Sequence, residues 1–189
     1  MYLLILLYLI IGIIRTKTEL TDEQPFVSVI VAAHNEAKNI AVCLDSLLNQ
    51  DYPEEKMEII IVNDRSEDDT GLIVDKYEMD YTLIRVITIT ASEPALSPKK
   101  YALSQAISSS IGEIIATTDA DCMPHTSWLT TLVANFTPET GIVVGLAPLR
   151  PTSWWMSPLM CLDALMASLA AYGSLGWGHP VAATGRNIA

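Results

Sequence analysis

The stretch Ile114-Ile115-Ala116-Thr117-Thr118-Asp119-Ala120-Asp121-Cys122-Met123-Pro124 decides how the rest of the chain is read. A short apolar, β-leaning run ends in two carboxylates spaced i and i+2, and Pro124 closes it. In an extended chain, residues two apart point to the same side. Asp119 and Asp121 are therefore expected to face one spot just beyond a buried strand, where open α/β sheets bind ligands. Two hard oxygen donors held close repel each other unless a cation lies between them. Mg²⁺ or Mn²⁺, bound by one or two carboxylates plus substrate phosphates, suits that pattern. A solvated acidic turn has the same letters, and the surrounding sequence has to separate the two.

Working outward, strand-like and helix-like segments alternate. Val27 to Ala32 is a near-continuous β-branched run, as expected of a strand buried on both faces. Helical spacing of Ile40, Cys43, Leu44, Leu47 and Leu48 follows between Ala37 and Gln50. Glu58 to Val62 is a second strand, and Ser66 with Asp69 reads as a capping box for the next helix. Leu83–Ile89 is a third strand and Pro98–Ser110 a third helix. Then come the Ile114 strand, a helix around Ser127–Phe136 and a strand at Gly141–Leu146. Short connections between alternating elements predict an α/β fold, with a mostly parallel central sheet and helices on both faces.

The two ends differ in character. Tyr2–Ile14 is an uninterrupted apolar run followed by Arg15 and Lys17. It is shorter than the ~20 residues that cross a bilayer squarely. It reads as a membrane-anchor or interfacial helix over residues 1–15, with the two cations holding the next domain on the cytoplasmic face. Residues 16–26 form a polar linker, 27–150 a nucleotide-binding-type domain, and 151–189 a different region. That last region carries Trp154, Trp155 and a largely apolar helix from Leu159 to Tyr172, either buried or lying at a membrane surface.

Composition narrows the partners. With 189 residues there is room for one real core. A hydrophobic share of 50% against 17% charged is apolar for a freely soluble protein. The net charge of -11 makes nucleic acid a poor partner. Cys43, Cys122 and Cys161 lie far apart, with no Cys-x-x-Cys, and read as reduced thiols.

The ends of predicted strands carry polar groups that a parallel sheet would gather. Glu36 and Asp64 close the first two strands, and either could accept from a base or ribose or simply cap a helix. At Ser97-Pro98-Lys99-Lys100 two lysines oppose the dipole of a helix start, a conflict that a docked diphosphate would relieve; two solvated lysines are the alternative. His34 is read as packing or capping, and His125 as a turn residue.

These segments together resemble the family 2 glycosyltransferases of GT-A fold. Val27 to Glu36 looks like their opening strand with its Asn35-Glu36 signature. Ile61-Val62-Asn63-Asp64-Arg65-Ser66 with Asp68 or Asp69 and Thr70 is similar to their Asp-x-Ser-x-Asp-x-Thr motif. Lys99-Lys100-Tyr101-Ala102-Leu103 resembles Gly-Lys-x-x-Ala-Leu, with Pro98 for Gly. Asp119-Ala120-Asp121 with Pro124, Trp128 and Leu129 resembles the Asp-x-Asp region, and Gly185-Arg186-Asn187-Ile188-Ala189 the Gly-x-Asn-x-Ala segment.

The resemblance implies a UDP- or GDP-linked sugar donor, a divalent metal (Mn²⁺ or Mg²⁺), and a lipid or glycan acceptor. Asn35, Glu36, Asp64, Lys100 and Asp119 would contact the donor, Asp121 the metal, and Gly185 with Asn187 the acceptor side. It also implies a general base in a Glu-Asp pair beyond Ala189. On that reading the chain is an amino-terminal part, able to bind donor but transferring sugar poorly by itself. The alternatives are a membrane-attached nucleotide-sugar-binding module without catalysis, or a nucleotidyltransferase, which would want a glycine-rich loop where Ala33-His34-Asn35-Glu36 stands.

Overall fold

The computed structural model describes residues 2–15, 20–91, 97–149, 153–179 and 187–189. The chain forms two compact units: Leu20–Val143 with Gly185–Ala189, and Met1–Glu19 with Val144–Thr184. The apolar amino-terminal helix thus groups with residues from the last third of the chain.

The larger unit is a five-stranded sheet in the order β3-β2-β1-β4-β5. Its elements are β1 (Val27–Ala33), α2 (Ile40–Leu48), β2 (Met57–Asp64), α3 (Thr70–Asp80), β3 (Ile84–Ile89), α4 (Pro98–Ser109), β4 (Ile114–Asp119), α5 (Trp128–Val133) and β5 (Asn187–Ile188). β1 pairs in parallel with β2 and β4, β2 in parallel with β3, and β5 lies antiparallel on β4. The chain builds outward from β1 through β2 to β3, then crosses to the other side of β1 for β4. This reversal makes the carboxyl ends of β1 and β4 the crevice where such sheets bind ligands. The register sets Ala32 beside Asp119 and Ala33 beside Asn63.

Alternation along the strands builds two cores. Val27, Val29, Val31, Ile59 and Ile61 face Ile40, Cys43, Leu44, Leu47 and Val74 of α2 and α3, with Leu129, Leu132 and Val133 of α5. Ile30, Ile60, Val62 and Ile89 face Ala102 and Ala106 of α4. Both faces are covered, which is why β1 and β2 read as continuous apolar runs. At the amino ends of the strands, buried Ser28 donates to Glu58 Oε1 at 2.5 Å, and the same oxygen accepts from the Ile111 amide at 2.9 Å. Arg85 bonds Glu58 Oε2 at 3.3 Å and the Ser109 carbonyl at 2.7 Å. A Glu–Arg–Ser staple therefore closes the end of the sheet opposite the crevice.

Two expectations change. The span 141–146 is not a strand and carries a single bridge, at Val144; Val143 exchanges bonds of 2.7 and 2.9 Å with Ala189. Ser66 does not cap α3. The N-cap is Asp69, which makes no side-chain cap bond; Asp68, one residue earlier, accepts from the Thr70 amide at 3.0 Å, while Ser66 Oγ accepts from Asn35.

The smaller unit holds α1 (Tyr2–Arg15) and α6 (Ser157–Leu175). They touch backbone to backbone. A Cβ at Gly12 would overlap the Gly173 carbonyl oxygen, and one at Gly176 would overlap the Gly12 carbonyl oxygen. Tyr8 stacks on Trp177 at 4.8 Å, Trp177 Nε1 donates to the Tyr8 carbonyl at 3.0 Å, and the Arg15 guanidinium lies 4.5 Å over the Trp177 ring.

Candidate nucleotide-sugar site

Each strand that reaches the crevice ends in a polar loop. A pocket of about 380 Å³, open to solvent, is lined there by residues that include His34, Glu36, Asp64, Arg65, Lys99, Asp119 and Asp121. That volume suits a small-molecule ligand. Four carboxylates from the ends of β1, β2 and β4 thus meet on one pocket, and the i, i+2 spacing does bring Asp119 and Asp121 to the same cavity.

Two loops are locked before any ligand arrives. Asn35 (φ 57°) and Arg65 (φ 54°) both occupy the left-handed region, an uncommon conformation for residues with a Cβ that needs surrounding bonds to hold it. The Asn35 amide donates to Ser66 Oγ at 3.1 Å, and Asn35 Oδ1 accepts from the Glu67 amide at 2.8 Å. The amides of Glu36 and Ala37 donate to Thr70 Oγ1 at 2.8 Å and Asp68 Oδ2 at 3.1 Å. His34 Nδ1 donates to the Asp64 carbonyl at 2.6 Å, which leaves Nε2 to accept from Asn35 Nδ2 at 3.3 Å. The hydroxyl of Thr70 and its amide hold the Asp68 carboxyl below the usual range. Asn35 is therefore a lock between loops and does not line the pocket.

Asp64 is almost buried and is held by the fork of its neighbour, Arg65 Nε at 2.7 Å and Nη2 at 3.1 Å. This bidentate bond fixes the orientation of its carboxylate. Beneath the acids, Cys43 Sγ donates to the Asp119 carbonyl at 3.6 Å. Burial, reinforced by Cys122, Asp121, Asp119 and Glu36, pushes the Cys43 thiol up to about 12. It is a neutral packing group and not a nucleophile.

The lysine in the pocket is Lys99 and not Lys100. Lys99 Nζ bonds Asp119 Oδ1 at 2.5 Å, whereas Lys100 is exposed in the first turn of α4 and does not line the cavity. The helix dictates this choice. Lys99, Ala102 and Ala106 lie on one face of α4, and the two alanines are buried against the sheet. That periodicity was available in the sequence. Arg65 carried no comparable signal, since its entry into the pocket follows from a left-handed turn. Asn187 is buried and accepts from Trp128 Nε1 at 2.7 Å, tying α5 to the sheet edge, so it does not open onto this cavity. Gly185 lies outside the described residues.

No group of three or more His, Cys, Asp or Glu residues forms a metal cage among the described residues. The donor set still fits a divalent metal that is completed by a ligand's own oxygens. Hard carboxylates converge without a cage, and the side-chain ammonium of Lys99 already sits against one of them.

A mostly parallel sheet whose switch-point crevice gathers carboxylates and a lysine has the layout of the GT-A fold. Residues 28–159 match the family described as glycosyl transferase family 2, and the chain belongs to that family. It is 34% identical over 110 residues to glycosyltransferase AglE of Haloferax volcanii, which covers 58% of this chain and 35% of that protein. It is 36% identical over 123 residues to a β-monoglucosyldiacylglycerol synthase of Trichormus variabilis, covering 65% and 26%. Among solved structures, the mannosyltransferase PcManGT of Pyrobaculum calidifontis, in complex with GDP-Man and Mn²⁺, superposes with a TM-score of 0.66. It is 28% identical to the chain and covers 80% of this chain and 45% of that one. The chain thus spans about a quarter to a third of these curated relatives and under half of the solved one.

Proposed function

We propose that this chain forms the donor-binding part of a metal-dependent glycosyltransferase working at a membrane. The observation that carries the reading is the convergence of Glu36, Asp64, Asp119 and Asp121, with Lys99, on one pocket at the carboxyl ends of β1, β2 and β4. Glu36 and the Arg65-held Asp64 accept hydrogen bonds from the nucleoside, and Asp119 from the ribose. Asp121 holds Mn²⁺ or Mg²⁺, with Lys99 beside it, so that cations face the diphosphate. When bound, the metal supplies charge stabilisation for the departing nucleoside diphosphate. GDP-Man and Mn²⁺ in the mannosyltransferase complex support a donor and metal of this kind.

The nucleotidyltransferase reading loses ground on one feature. The loop after β1 has already committed its amides of Asn35, Glu36 and Ala37 to side chains, so it offers no cradle for phosphate.

Membrane attachment is supported by α1, which exposes Leu3, Leu4, Leu7 and Ile14, and by the glycolipid named in the β-monoglucosyldiacylglycerol synthases. On this reading the acceptor is a lipid-linked or glycan hydroxyl. Arg15, with Lys17 in the sequence, keeps the sheet unit on the cytoplasmic face.

Calorimetry with GDP and UDP tests the proposal. One nucleotide is expected to bind in the presence of Mn²⁺, at least tenfold more weakly in Asp121→Ala. Absence of binding by either nucleotide, with or without Mn²⁺, refutes it.

A further inference from the structure

We infer that Arg65 sets the base the site accepts, turning its corner of the pocket into a reader of uracil and so selecting a UDP-linked donor; this rests on the donor-site reading above. Arg65 and Asp64 both line the cavity. Consecutive residues of a strand point to opposite faces, so a fork between these two needs the chain to turn. The left-handed backbone of Arg65 (φ 54°) makes that turn. Glycine would make it without strain, so the turn by itself does not call for arginine. What arginine adds is the fork.

The fork is side-on. Arg65 Nε donates to Asp64 Oδ1 at 2.7 Å, and Nη2 donates to Oδ2 at 3.1 Å. In a two-pronged pair of this kind each carboxylate oxygen uses the lone pair that faces the guanidinium and keeps the other. The outer edge of the pair then presents Oδ2 as an acceptor and the second Nη2 hydrogen as a donor, side by side. On the Nε side there is no second hydrogen, so the pair has one such edge. The two charges cancel, which suits an uncharged heterocycle and not a phosphate or a further cation.

A base meets this edge with one N–H and one acceptor beside it. Uracil does so through its ring N3–H and an adjacent carbonyl, and the remaining group on that edge is a second carbonyl. Guanine brings N1–H and a 2-amino group side by side, a pattern that a free carboxylate answers with both oxygens. Arg65 has already taken the second prong. Adenine and cytosine offer an amine with two hydrogens where the edge accepts one. Uracil is thus the RNA base without an amino group to leave over. An unpartnered donor beside Asp64, whose side chain is only 8% exposed, is more costly than an idle carbonyl.

The surroundings hold the reader in place and leave it to act alone. The Asp64 carbonyl accepts from His34 Nδ1 at 2.6 Å, and the Arg65 amide donates to the Asn63 carbonyl at 3.3 Å, so the turn is fixed from both sides. Glu36 gives Oε2 to Asn39 Nδ2 at 2.8 Å and keeps its other oxygen for a ribose hydroxyl. The mannosyltransferase complex holds GDP-Man. A shared scaffold does not carry the choice of base with it, and the Arg65 fork separates this chain from a guanine reader.

Calorimetry on the full chain with Mn²⁺ compares UDP, GDP and IDP, whose hypoxanthine is guanine without the 2-amino group. The wild type is expected to bind UDP about tenfold tighter than GDP or better, and IDP about threefold tighter than GDP. Arg65→Asn keeps the left-handed turn, which Asn adopts readily, and frees both oxygens of Asp64. In that variant the preference for UDP over GDP is expected to shrink to within about twofold, with GDP now bound tighter than IDP. Arg65→Lys has the charge without the fork and is expected to lose the preference as well. GDP bound as tightly as UDP by the wild type, IDP bound no tighter than GDP, or a preference unchanged in either variant overturns the inference and leaves the donor-site reading standing. The wild-type comparison needs no substitution and decides the matter even where a variant fails to fold. Binding of no nucleotide, with or without Mn²⁺, overturns both readings.

Discussion

Lys99 Nζ stands 2.5 Å from Asp119 Oδ1, so a side-chain cation rests on a carboxylate of the pocket proposed to take the donor. The pair is partly exposed and adds little to stability; its interest is chemical. Lys99 shields Asp119 from the repulsion of Asp121, Glu36 and Asp64 around the same cavity, and a divalent metal entering the pocket meets that ammonium as a competitor.

Lys99→Ala is therefore expected to tighten Mn²⁺ binding to the nucleotide-free protein, by about three- to tenfold, and to weaken Mn²⁺-dependent nucleoside diphosphate binding by about tenfold. Lys100→Ala should change neither by more than about twofold. Manganese titrations followed by electron paramagnetic resonance, together with nucleotide calorimetry, separate the two lysines. Equal effects would place both in the site.

Asp68 is the hinge pin between the loops after β1 and β2, since it takes the amides of Ala37 and Thr70 and the Thr70 hydroxyl. Its carboxyl is held below the usual range, chiefly by that hydroxyl. A depressed acid contributes stability that is present above its ordinary value of ~3.9 and is lost as pH falls through the lowered value. Asp68→Asn is expected to lower the melting temperature by a few degrees at pH 7 and to flatten the acid limb below pH 4. It should also weaken nucleotide binding, because Glu36 rides on the same loop. Scanning calorimetry from pH 3 to 7 provides the check.

The sheet and its crevice were legible because they depend on patterns that local chemistry enforces. The apolar runs at Val27 and Ile59 can be satisfied only between two layers of helices, and the Asp-x-Asp spacing fixes the side on which both acids emerge. What escaped depends on contacts between distant segments. Ser66 is withdrawn from the start of α3 by Asn35, some thirty residues earlier, whose amide claims the Ser66 hydroxyl. The strand expected at 141–146 shrinks to a single bridge, and the pairing that Val143 does make is with Ala189, a contact no local window contains. The choice of Lys99 over Lys100 turned on the buried faces of Ala102 and Ala106 and could have been read from helical spacing.

Cys43 gives the alkaline limb a definite sign. Its thiol is pushed up to about 12 by burial, and a raised group contributes stability that is complete below the unfolded value of ~8.5 and is lost as pH climbs through the folded one. Unfolding free energy should fall from about pH 9 towards 12, with this residue adding up to ~1.4 kcal/mol per pH unit. Cys43→Ala, less stable at pH 7 by about 1–2 kcal/mol from lost packing, should show a shallower fall over that window. Denaturant titrations at pH 7, 9 and 10 measure the difference, and parallel curves would mean the thiol titrates normally.

At the opposite end of the sheet, Glu58 joins Ser28, the Ile111 amide and Arg85 in one staple. Removing a shared acceptor leaves its donors short of partners: Ser28 is wholly buried, and the Gly112 amide already leans on its hydroxyl at 2.8 Å. Glu58→Ala is expected to cost about 2–4 kcal/mol, while nucleotide affinity per folded molecule stays within about twofold, because the staple and the crevice occupy opposite ends of β1 and β2. Glu58→Gln keeps an oxygen for Ser28 or Ile111 but loses the charge towards Arg85, so its cost should fall between that of alanine and the native residue. Urea unfolding and nucleotide calorimetry on the same preparations decide it. A loss of affinity equal to the loss of folded protein would agree with a purely structural staple, whereas a larger loss would show that the far end of the sheet reaches the site.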